Sequence, residues 1–225
     1  MRRNATITAV LLALCLVSSG PPGAAAATAL GTATWSLEIG TDVGAGNTDG
    51  SFAIRKHSSA SSAFRLGMEV DLNNSDGDGT RTDTGSPDVG AGQISEFNST
   101  DLSIQWMHFA PIRDNVTATF AVGPVVGFTR QFQRIRQGTS GQPGFQEVEV
   151  LFHSTTFGLD LGLGVEWFFN RRVSLGGRTG LRAVTGSGNQ VTVIRSPPSK
   201  TEIDIDVDET ELSVGTARIQ LTGYF

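Results

Sequence analysis

Residues 215–225 read GTARIQLTGYF and stand last in the sequence. In this stretch Ala217, Ile219, Leu221, Gly223 and Phe225 alternate with Arg218, Gln220, Thr222 and Tyr224. Side chains of a strand leave on opposite faces with period two, so the pattern predicts a strand with one apolar and one polar face. Its eleven residues also match the roughly 9 to 11 that a tilted β-strand needs to cross a bilayer. The rest of the chain must decide whether this strand belongs to a soluble sheet or to a membrane-spanning one.

Working outward, residues 1–27 read as a secretory signal: Arg2 and Arg3 at the start, an apolar core over 8–17, and a small-residue region over 24–27. Cys15 in that core raises lipidation, but Leu14 is bulkier than the small residue a lipobox places before its cysteine. Removing the segment removes the only cysteine, so disulfides and thiol chemistry are not expected of residues 28–225, which suit one domain. It also removes two arginines, leaving 15 basic against 22 acidic side chains, a net charge of −7. That balance gives no footing for a nucleic-acid partner. Arginine outnumbers lysine 15 to 2; a GC-rich genome gives the same excess, and a planar guanidinium suits enclosed ion pairs. No apolar run is long enough for a transmembrane helix, so a membrane location requires a barrel.

The chain reads as eight strands. Ala33, Trp35, Leu37 and Ile39 mark the first, broken by the Gly- and Asp-rich run 41–50. A second lies over 51–57, where Lys56 falls in phase with Phe52 and Ile54. The third alternates cleanly through Phe64, Leu66, Met68, Val70 and Leu72. Residues 73–96 are polar without periodicity and are expected to form a solvated loop, with a ten-stranded variant using part of 93–97 left open. Leu102, Ile104 and Trp106 mark the fourth strand; Ala118, Phe120, Val122, Val126 and Phe128 mark the fifth, where Pro124 implies a bulge. A Gly-rich turn over 137–144 leads to Leu159, Leu161, Leu163, Val165 and Trp167 in the sixth. The turn at Asn170 and Arg171 leads to Val173, Leu175, Leu181 and Ala183 in the seventh. Residues 191–194 and 203–207 look like a hairpin standing above the main body. Connections alternate long and short, as in transmembrane barrels.

Alternation cannot by itself say whether the apolar face points inward, as in a secreted lipocalin-like barrel or sandwich, or outward to lipid. Two features favour outward. The polar phase carries opposed charges, Glu38, Glu69, Asp160 and Glu166 against Arg65, Arg178, Arg182 and Arg218. Glycines in the same phase, Gly67, Gly162, Gly164, Gly176 and Gly180, would clear room for long side chains in a narrow bore. Aromatics also gather at strand ends: Trp35, Phe64, Trp106, Phe120, Trp167 and Phe225 toward one, Phe52, Phe97, Phe128 and Phe152 toward the other. Two such girdles are what bilayer interfaces impose.

The closing stretch, with Ile219, Leu221, Tyr224 and terminal Phe225, resembles the last strand of Gram-negative outer-membrane β-barrels. In that family it is the signal read by the barrel-assembly machinery. As architecture the chain resembles the small eight-stranded OmpA-type and OmpX-type barrels over nearly all of residues 28–225. The resemblance implies an all-β, antiparallel transmembrane barrel in the outer membrane, surrounded by lipid and lipopolysaccharide, with a structural, adhesive or surface-interaction role.

An eight-stranded barrel is only wide enough for side chains to fill it, so the interior charges are expected to form a stapling network; the alternative is a narrow, porin-like channel lined by the same groups. The lipid A deacylases, outer-membrane barrel enzymes, carry a His, a Ser and a Glu on the lipid side. Here His153 and Thr155 share one phase while Glu166 lies in the other, so no nucleophile and base can meet. His57 and His108 have no partner at a suggestive spacing, and no cofactor or transition-metal site is expected. Asp71, Asn73, Ser75, Asp76 and Asp78 lack the spacing of a calcium loop. Glu202, Asp204, Asp206 and Asp208 line one side of an extended segment whose other side carries Ile203, Ile205 and Val207. That stripe is a solvated face or an external ledge for divalent cations, an extracellular protein or another surface ligand.

Overall fold

The computed structural model describes residues 34–42, 48–81, 89–138, 144–196, 198–214 and 217–225. The signal segment 1–27, Ala33, and Gly215 and Thr216 of the closing stretch lie outside them. Nine segments form one antiparallel sheet: β1 (Trp35–Asp42), β2 (Thr48–Ser59), β3 (Ser62–Arg81), β4 (Val89–Arg113), β5 (Val116–Gln137), β6 (Gln146–Phe168), β7 (Val173–Ser196), β8 (Ser199–Val214) and β9 (Arg218–Tyr224). The sheet closes because β9 pairs with both β7 and β1, Arg178↔Arg218 on one side and Ser36↔Tyr224 on the other. The segments β8 and β9 share β7 as neighbour and are two parts of one stave, with the register slipping by one residue between Leu181↔Val214 and Arg178↔Arg218. The result is an eight-staved, all-β barrel, which removes every sheet edge at its waist.

Apolar residues face outward around the waist. Phe157, Leu159, Leu161, Leu163, Val165 and Trp167 of β6 all stand exposed, while Asp160 and Glu166 between them and Phe168 after them are buried. The band from Phe157 to Trp167 spans eleven residues; at roughly 3.3 Å each and a tilt of about 40° it is about 25 Å tall, the height of a transmembrane barrel's apolar belt. Lys56 fits this outward phase because it sits at the lower rim, its ammonium 5.4 Å from the Trp35 ring centre.

Tight turns close the lower end. Asn170 accepts the Arg172 and Val173 N–H groups on its side-chain oxygen at 2.8 and 3.0 Å, which fixes the turn into β7. Phe225 and Trp35 exchange backbone hydrogen bonds at 2.9 and 3.0 Å. The upper end is tall on one side. The β1–β2 hairpin stops at Asp42 and Thr48, whereas β3 to β8 continue as an open six-stranded wall. Of the residues 73–96, expected as a loop, 73–81 and 89–96 belong to it: the ladder runs unbroken from Asn73↔Phe97 to Arg81↔Val89, and residues 82–88 lie outside the described residues. Its backbone pairs rung by rung although its sequence carries no apolar alternation.

Three other expectations are corrected. Pro124 makes no bulge: Trp106↔Val122 and Ser103↔Val125 keep one register, and the ladder with β4 only lapses between them. Phe97 and Phe152 lie in the inward phase, level with Gln131 between them, and belong to no outer girdle. Gly164 and Gly180 make room for the backbone of β7 and β6 respectively, through the Gly177 and Leu161 carbonyls, and not for arginines. Gly67 and Gly162 do lie against the guanidinium groups of Arg65 and Arg178, where any Cβ would collide.

Candidate functional site

All eight charged residues singled out from the sequence point into the barrel, and the structure divides them between two levels. At the lower level, Arg55 at 0% exposure donates from Nε to Glu38 at 2.8 Å and reaches Glu166 at 3.1 Å from Nη1. Arg65 donates to the other Glu38 oxygen at 2.8 Å and to Gln105 at 3.1 Å. Gln105 in turn donates to Asp160 at 2.7 Å and accepts from Arg178 at 3.0 Å. Glu166 also accepts from the hydroxyls of Tyr224, at 2.6 Å, and Ser174. With its amide nitrogen turned toward Glu38, Gln220 donates there at 3.1 Å and accepts from Arg55 at 2.9 Å. Three arginines thus meet three carboxylates, and each buried ion has an opposite neighbour, as a low-dielectric interior demands.

Beneath this network the bore is filled by Met107, Phe109, Phe168 and Tyr224 with Ala63 and Ala121. The His57 ring lies 5.3 Å from Phe109 and 5.6 Å from Tyr224, ring centre to ring centre. These side chains leave the strands in the polar phase, so alternation of apolar residues does not find them. Their signal is an aromatic in the inward phase at the lower end of several staves.

The upper level is Glu69 between Arg182, at 3.0 Å, and Arg218, with Arg182 also on Asp101 and Arg218 on Asp42 at 2.6 Å. It opens into a cavity of about 230 Å³ at the barrel mouth. There Asp49 and Asp71 stand directly opposite each other, each with one buried oxygen that has no hydrogen-bond partner among the described residues. The mouth therefore carries more carboxylate than arginine. Sequence reasoning missed Arg55, Asp42, Asp101, Gln105 and Gln220; the parity of β2, set by Phe52 and Ile54, was the available signal for Arg55.

On the outer face of the wall the polarity changes. Arg134 meets Glu149 at 2.5 Å, and Glu147 lies between Arg136, at 2.5 Å, and Arg195. Burial under those side chains would raise the Glu147 carboxyl, but hydrogen bonds from Arg136 and Arg195 hold it below its usual range. Glu202, Asp204, Asp206 and Asp208 face outward on β8, opposite Val193, Val191, Asn189 and Ser187, with Lys200 3.2 Å from Glu202 and the Asn189 amide 2.5 Å from Asp204. Ile203, Ile205 and Val207 occupy the other face. Among the described residues β8 pairs only with β7 on its upper part, and no group of three or more His, Cys, Asp or Glu is arranged to hold a metal ion. Asp71 is in a paired strand, and the side chains of Ser75, Asp76 and Asp78 lie outside the described residues. His153 and Thr155 face outward while Glu166 is buried inside. Ile219 and Leu221 face outward, Tyr224 is buried inside and Phe225 is exposed at the lower rim.

The sequence matches no protein-family model and no curated protein. Among solved structures, a major outer membrane protein from Thermus thermophilus is similar with a TM-score of 0.57 and 16% identity, over 86% of this chain and 100% of that one. CarO from Acinetobacter baumannii aligns with a TM-score of 0.42 and 10% identity, over 86% of this chain and 97% of that one. The first likeness, at its low identity, establishes the fold: a closed antiparallel β-barrel of the kind found in outer-membrane proteins.

Proposed function

We propose that this chain is an outer-membrane barrel of the small, filled type, non-enzymatic and non-conducting, that holds a six-stranded wall above the membrane for structural or adhesive contact. The observation that carries this reading is the sealed bore. A side-chain network with 0–1% exposure at Arg55, Arg65, Glu38 and Glu166 lies across it, and an aromatic plug lies beneath. The outward band about 25 Å tall supports membrane insertion, as does the resemblance to OmpA-type and OmpX-type barrels. On this reading Ile219, Leu221, Tyr224 and Phe225 serve as the assembly signal, and the ledge Glu202, Asp204, Asp206 and Asp208 faces external partners.

A narrow channel is the second reading, favoured by the cavity of about 230 Å³ at the mouth; the plug beneath it would then have to move. Single-channel recording in planar bilayers tests the pair. Flat current under about ±100 mV, a voltage of the order at which a gating charge gains about 2.3 kcal/mol, supports the filled barrel. Steady open levels would replace it with the channel.

A further inference from the structure

Above the apolar band the outward face changes over two rungs of the sheet. One rung runs Thr100, Phe128, Thr155, Ser187 across β4 to β7; the next runs Asn98, Arg130, His153, Asn189. A cavity of about 380 Å³ spans both. Arg130 is its cation, flanked by Asn98 on β4 and His153 on β6. Three arginines farther up the outer face of the wall are occupied: Arg134 by Glu149, Arg136 by Glu147, and Arg195 by both carboxylates. Arg130 meets no carboxylate among the described residues. Its guanidinium fork suits a phosphoryl group, an imidazole can add a second donor, and the Thr100, Thr155 and Ser187 hydroxyls suit the polar body of a headgroup. The site sits one rung above Phe128, where a bilayer's acyl chains give way to headgroups.

We propose that this cavity binds the phosphate-bearing headgroup of a lipid in the surrounding outer leaflet. The proposal rests on the membrane-spanning reading. The placement selects a lipid over a free anion, because the cavity opens sideways from the barrel wall and its lower margin is the Phe128 ring, continuous with the apolar band.

The test uses the folded full chain in a zwitterionic detergent, titrated with lipid A, with lipid A stripped of its phosphates, and with inorganic phosphate, binding being read by native mass spectrometry. Lipid A is expected to bind, the stripped lipid to bind at least about tenfold more weakly, and inorganic phosphate not to compete at millimolar concentration. Arg130→Gln and His153→Gln should each lower affinity for lipid A, together by about tenfold or more, while Arg134→Gln keeps it. Equal binding of stripped lipid, or unchanged binding by the double variant, would overturn the site. Full competition by inorganic phosphate would overturn the lipid assignment. A chain that folds in buffer without detergent would instead overturn the membrane reading, whereas a detergent-requiring barrel indifferent to phosphate overturns only this site.

Discussion

Replacing Arg55 by leucine should be among the most damaging single changes inside the barrel. Arg55 is the counterion of two buried carboxylates. After its loss Glu38 keeps Arg65 at 2.8 Å, but Glu166 keeps only the neutral hydroxyls of Tyr224 and Ser174. Removing one partner of a buried pair costs about 3–5 kcal/mol, because the other charge stays desolvated and uncompensated. Against a total stability on the order of 5–15 kcal/mol this is a large fraction. Adding Glu166→Gln removes the stranded charge while leaving an amide oxygen for the two hydroxyls. The double variant should therefore be more stable than Arg55→Leu alone by roughly 2 kcal/mol, because removing the desolvated, unpaired charge recovers part of that cost. Urea titration of the barrel refolded into lipid vesicles, followed by tryptophan fluorescence with heat-dependent gel migration as the check on folding, measures both. A single-variant loss under about 1 kcal/mol, or a double variant whose two losses simply add, would refute the reasoning.

Depth should govern tolerance to charge. Leu163→Arg, outward at mid-band, is expected to cost about 2–4 kcal/mol of folding stability in vesicles, whereas Val193→Arg, between Glu149 and Glu202 on the wall, should cost nothing measurable. The same urea titration reads both, and equal losses would contradict the band. Asp71→Asn should stabilise the mouth by roughly 0.2–1 kcal/mol, since like charges directly opposite on paired strands repel; a loss of stability would mean that the pair is satisfied as it stands. For Glu147, whose folded pKa is depressed, the stabilisation is present above its unfolded value and lost as pH falls through the folded one. Amide exchange in the upper parts of β5, β6 and β7 should therefore quicken below the ordinary carboxylate range, and Glu147→Gln should abolish that dependence. A pH response unchanged by the substitution would assign it to another group.

The waist of the barrel was legible because an apolar outer band on one side and a filled polar bore on the other force strict alternation. Leu159 to Trp167 and Phe64 to Leu72 show it plainly, and the eight inward charges follow from the same parity. The wall was not legible. Its strand segments 73–81 and 89–96 are polar in sequence, so backbone pairing such as Asn73↔Phe97 leaves no hydrophobic period to read. Phe97 and Phe152 were misplaced for a related reason: above the band the wall's inner face also carries apolar side chains, as Ile203, Ile205 and Val207 show, so an aromatic there need not point outward. The plug escaped because Met107, Phe109 and Phe168 are apolar residues in the phase otherwise reserved for charge. Three-dimensional closure, which brings Arg55 of β2 to Glu166 of β6, is beyond any local reading of the chain.

Trp35, Trp106 and Trp167 are the chain's three tryptophans, and all face outward, 41–46% exposed; Trp35 and Trp167 stand near the lower rim, while Trp106 lies within the band on the rung of Val122 and Leu161. Fluorescence of the protein folded into vesicles of brominated lipid therefore asks on which side the apolar face lies. Strong quenching is predicted, greater with bromines near the carbonyl end of the acyl chain than near its methyl end, and aqueous iodide should quench little. Emission indifferent to brominated lipid but readily quenched by iodide would contradict a lipid-facing apolar surface.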